Sequence, residues 1–85
     1  MNICTVVVAW NQPDLTLDCL ASLVADGVAP EQIWLVDNGS GPELLARVGA
    51  RFPALRTVRL EQNRGFAGGN NAGVAAALAA GAEAL

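Results

Sequence analysis

The chain has 85 residues and a mass of 8.7 kDa, and its 53% hydrophobic content, 15% charge and mean hydropathy of +0.38 exclude disorder and leave room for one small domain. A net charge of −3, with arginine as every one of the five cations, excludes a basic surface that tracks nucleic-acid phosphates. Two cysteines and no histidine exclude a disulfide scaffold and a structural zinc site, and apolar runs broken well short of roughly 18 residues exclude a spanning helix.

The elements alternate between two periods. Residues 3–9 (ICTVVVA) form a continuous apolar, mostly β-branched run, the pattern of a strand buried on both faces. A helix is expected over residues 14–25, with Leu20, Leu23 and Val24 on its apolar face and Asp14, Asp18 and Ser22 off it. Pro13 suits its first turn, Asn11 or Gln12 precedes it as cap, and Gly27 ends it. A second strand follows at residues 33–36. Ser40-Gly41-Pro42-Glu43 then reads as a capping box for a short helix over residues 42–51, with Leu44, Leu45 and Val48 inward. Phe52-Pro53 closes that helix. Residues 57–60 make a weaker third strand. The last helix is expected from about Gly68 to Ala80, with Gly81 as its C-terminal cap. This order predicts an α/β fold: a three-layer α/β/α, Rossmann-like parallel sheet with right-handed crossovers.

Ligands of such a sheet bind at the carboxyl ends of its strands, where three loops gather. The first is Ala9-Trp10-Asn11. The second is Asp37-Asn38-Gly39-Ser40, and the third is Asn63-Arg64-Gly65-Phe66-Ala67-Gly68-Gly69-Asn70-Asn71. Asp37 is placed to accept hydrogen bonds from a ribose or a base edge, and equally to make a tight turn with Asn38-Gly39. Trp10 offers a stacking face, though an aromatic at a strand end also serves packing. The glycines of the third loop permit positive φ and close backbone approach ahead of a helix N-terminus, which favours phosphate. Neither a Walker motif nor a Gly-x-Gly-x-x-Gly fingerprint is present there. Arg64 reads either as charge for a diphosphate or as a solvated side chain. Cys4 reads as core, Cys19 as an unactivated thiol, and Arg51, Arg56 and Arg59 as surface.

Together these segments resemble the nucleotide-sugar-binding half of family 2 glycosyltransferases, inverting enzymes of the GT-A fold. The resemblance rests on Val6-Val7-Val8-Ala9-Trp10-Asn11, Cys19-Leu20-Ala21-Ser22-Leu23, Trp34-Leu35-Val36-Asp37-Asn38-Gly39-Ser40 and the third loop through Ala72-Gly73. It covers nearly the whole chain, and the third loop looks most like the rhamnosyltransferase branch. Ala9-Trp10-Asn11 stands where the family usually has Thr-Tyr-Asn against the base. Asp37 matches the family's base- or ribose-binding aspartate, and Asn71-Ala72-Gly73 its Asn-x-Gly. Asn70 stands where arginine is frequent. The resemblance implies nucleotide binding by Ala9, Trp10, Asn11, Asp37, Asn38, Gly65, Asn70 and Asn71.

It also implies what should follow Leu85. The family's metal-binding Asp-x-Asp ends the fourth strand, and the catalytic base lies further on. The expectation is therefore a single truncated domain over residues 1–85, a donor-binding fragment that transfers no sugar itself and holds no metal. The full enzyme would use Mg²⁺ or Mn²⁺ and move a sugar from a nucleotide-diphosphate donor to a saccharide or lipid-linked acceptor. The resemblance places strand one centrally, so without strand four its edge over residues 3–9 invites self-association. A cytoplasmic protein is expected, with no nucleic-acid partner. The rival readings are a non-catalytic nucleotide-binding module and a protein-interaction module.

Overall fold

Valines 6 to 8 disfavour helix and pack well on a pleated surface, and they lie within strand β1, Thr5–Ala9. The computed structural model describes residues 3–82. After β1 come helix α1 (Pro13–Ala25), a single 3₁₀ turn (Pro30–Gln32), strand β2 (Ile33–Asn38), helix α2 (Glu43–Arg51), strand β3 (Arg56–Leu60) and helix α3 (Gly65–Ala79). The sheet is parallel throughout, in the order β1-β2-β3. Ala9 lies in register with Asp37, and Asp37 with Arg59. Among the described residues β2 is therefore central and β1 forms one edge.

Side chains alternate across a strand, so each strand serves two layers. Val7, Ala9, Ile33 and Leu35 meet Leu17 and Leu20 of α1 and Leu44 and Val48 of α2 in one core. Val6, Val8 and Val36 face α3 instead. That helix sits close because its inward row is Gly69, Gly73 and Ala77: a Cβ on Gly73 would lie 2.5 Å from Val6 Cγ1 and 2.7 Å from Val36 Cγ2. The expected three-layer, Rossmann-like α/β/α architecture is what the described residues adopt.

Several expected boundaries move. The second strand runs two residues further, so Asp37 and Asn38 belong to β2 rather than to the loop after it. The Ser40 capping box does not form: α2 begins at Glu43 with Pro42 at its N-cap, and no side chain caps it. The hydroxyl of Ser40 is held elsewhere. Gln12 sits at the N-cap of α1 without a side-chain bond, in the left-handed region at φ 55°. The largest correction concerns α3. It starts at Gly65, three residues early, so most of the expected glycine-rich loop is helix. Two causes override the weak helix propensity of Gly and Asn. Asn63 Oδ1 accepts the Gly65 N–H at 2.7 Å and opens the helix. The absent side chains at 69 and 73 then let the helix bury against the sheet. Both predicted stops hold, since Gly27 (φ 97°) and Gly81 (φ 99°) each follow a helix end in the left-handed region.

Candidate functional site

The site is built around the carboxyl end of the central strand. Leu35, Asp37 and Gly39 alternate with Val36 and Asn38, so neighbouring polar residues leave β2 toward opposite layers. Asp37 is fully buried. Its Oδ1 accepts the backbone N–H of Ser40 at 2.9 Å, while its Oδ2 has no hydrogen-bond partner. Burial of a carboxylate oxygen without a donor is unfavourable, and such an atom marks a place where a donor is wanted.

Ser40 extends the connection to the first loop, its Oγ accepting the backbone N–H of Asn11 at 2.6 Å. Trp10, next to it, is 54% exposed at the end of β1. Asn11 and Gln12 both take positive φ, 52° and 55°, an uncommon pair for residues other than glycine. A cleft of about 420 Å³ opens beside this network, lined by Asn11, Pro13 and residues 40–44.

On the opposite face Asn38 joins β2 to the start of α3. Its Nδ2 donates to Gly65 O at 2.9 Å and to Asn63 Oδ1 at 3.3 Å, and its Oδ1 accepts the Arg64 N–H at 2.9 Å. Gly39 lets the turn between the two networks close. It has φ 86°, and a Cβ there would press on the backbone nitrogen of Asn63 and lie 2.7 Å from the carbonyl carbon of Gln62.

The expected nucleotide-binding residues thus fall into three groups. Asn11 and Asp37 are bonded through Ser40, with Ala9 in register with Asp37 and Trp10 between Ala9 and Asn11 in the chain. Asn38 and Gly65 form a second group, where the Asn38 amide is already engaged by the protein. Asn70, half-buried, and Asn71, exposed, lie on α3, and no side-chain hydrogen bond links them to the other two groups. Arg64 and Arg59 line a separate polar cleft of about 360 Å³ at the end of β3. Sequence reasoning assigned Ser40 to a helix cap and gave Asn63 no role. The available signals were local: a Ser three residues after Asp37, and an Asn two residues before a glycine, are spacings at which Asx side chains bond nearby backbone N–H groups.

Cys4 is buried and Cys19 exposed, both as free thiols. Among the described residues no three His, Cys, Asp or Glu side chains gather to hold a metal ion. The residues present do not fit the divalent ion that the resemblance implies, and no chemical step in this chain is assigned to one. No described helix is long and apolar enough to cross a membrane.

Neither the curated proteins nor the solved structures gave a match to the chain. The model of one protein family, described as glycosyl transferase family 2, matches residues 4–80, from the residue before β1 to the residue after α3. Because that match spans most of the chain, the chain belongs to glycosyl transferase family 2.

Proposed function

We propose that the carboxyl end of this sheet binds the nucleoside part of a nucleotide-diphosphate sugar, as the donor site of an inverting transfer to an acceptor hydroxyl. The observation that carries this reading is the bare Oδ2 of Asp37, buried at the end of the central strand, with Trp10 exposed one residue past the end of the neighbouring strand. A ribose hydroxyl or a base N–H supplies the donor that oxygen lacks. Trp10 presents an apolar face on which a planar base stacks. Asn11, with its exposed amide, completes the corner. Since Asp37 has no exposed surface, binding includes a local shift of the atoms that cover it. These residues bind and orient, and we assign bond cleavage to none of them. The wording of residues 63–73 favours rhamnose as the transferred sugar.

Isothermal titration of the chain with UDP and with dTDP tests the reading. Saturable binding of at least one is expected, and Asp37→Ala should weaken it by about 1–3 kcal/mol, or roughly five- to 150-fold. Equal affinity in Asp37→Ala, with its fold intact by circular dichroism, would remove Asp37 from the site.

A further inference from the structure

Ser40 stands between the two segments that carry the proposed nucleoside contacts. Its N–H donates to Asp37 Oδ1 at 2.9 Å, and its Oγ accepts the Asn11 N–H at 2.6 Å from 29 residues away. Ser40 is 9% exposed and Asp37 fully buried, so water competes weakly for these bonds. Neither bond belongs to a helix or to the sheet ladder, because α2 begins only at Glu43. The Asn11 N–H is the amide that joins Trp10 to Asn11, so the Ser40 hydroxyl fixes the plane of that peptide. The backbone there needs fixing. Asn11 and Gln12 are consecutive left-handed residues, a conformation that persists only where the surroundings over-determine it. Gln12 has no side-chain cap to help, and the Ser40 hydroxyl makes the one long-range hydrogen bond to this segment among the described residues.

We propose that Ser40 is a positioning residue for nucleotide binding: it ties the Trp10–Asn11 peptide to the Asp37 carboxylate, so that the first loop and the carboxylate meet one nucleoside in a fixed relation. Ser40 acts through Asn11. The proposal rests on the nucleoside-binding function given above, and its test separates the two.

Amide exchange by NMR on the ligand-free, isotope-labelled chain reads the bond directly, and titration with UDP and dTDP reads its consequence. Ser40→Ala is expected to lose protection at the Asn11 amide while the β2 amides keep theirs, and to weaken nucleotide binding about five- to tenfold. Ser40→Thr, which keeps the hydroxyl at a residue lining the adjoining cleft, restores both. Ser40→Cys, a weaker acceptor of similar shape, gives intermediate values and carries the comparison if Ser40→Ala unfolds. Unchanged Asn11 protection overturns the proposal. So does lost protection with unchanged or tighter nucleotide affinity. If the unaltered chain binds neither nucleotide, the donor-site function falls, and Asn11 protection alone then decides whether Ser40 holds the loop.

Discussion

Asp37 and Asn38 leave one strand in opposite directions, and each fastens a different loop, so neighbouring substitutions should have unlike effects. Asn38→Ala removes three hydrogen bonds at the junction with α3, at Arg64 N, Gly65 O and Asn63 Oδ1. At a net contribution of about 0.5–1.5 kcal/mol per bond, it should cost about 1.5–4.5 kcal/mol. Urea unfolding measures this, and a loss below about 0.5 kcal/mol would mean that the junction does not hold the fold together. Gly39 supports a second contrast. Gly39→Ala combines a positive φ with a collision against the backbone of Gln62 and Asn63, and should cost about 3 kcal/mol. Gly27→Ala has a similar φ but open space around it, and should cost only about 1–2 kcal/mol. Equal losses in the two variants would show that the close approach of the β3–α3 connection to Gly39 is wrong. The dipeptide Asn38-Gly39 was legible as a turn. Its contact with the backbone 23 residues further along the chain was not, because no local pattern encodes a tertiary approach.

At the scale of elements, α3 separates composition from context. Its glycines and asparagines mark a loop by propensity, yet they form the first two turns of a helix packed on the sheet. The spacing Gly69, Gly73, Ala77 was readable as one helical row, but its meaning depended on Val6, Val8 and Val36 lying beneath it. Two glycine substitutions test this seat. Gly49, exposed in α2 with nothing near its would-be Cβ, should gain about 0.5–1 kcal/mol of stability as Gly49→Ala, through propensity alone. Gly73→Ala receives the same gain but drives a methyl into Val6 and Val36, and overpacking costs about 1–3 kcal/mol, so the net change is a loss. Adding Val6→Ala should return part of that loss and make the pair non-additive. A Gly73→Ala chain as stable as Gly49→Ala would refute the close packing of α3.

Across the whole molecule, the order of strands and helices followed from alternating periods, and the placement of ligand loops followed from parallel topology. The coupling among those loops was hidden, since Ser40 could equally have capped a helix and only its distance to Asn11 decides otherwise. A chain of this size has a small margin of stability, because a short domain buries a modest fraction of its surface. That makes ligand binding visible in its melting temperature. A nucleotide present at about ten times its dissociation constant stabilises the folded state by about 1.4 kcal/mol, which for a domain of this length raises the midpoint by about 5–10 °C. The groups at the Asp37 corner address the base and ribose rather than the phosphates. UDP or dTDP should therefore raise the midpoint in the unaltered chain, and inorganic pyrophosphate at the same concentration should not. Asp37→Ala should respond weakly to either nucleotide. A pyrophosphate shift as large as that of the nucleotides would move the binding energy away from Trp10 and Asp37, toward the helix N-terminus at Gly65 and the arginines beside it.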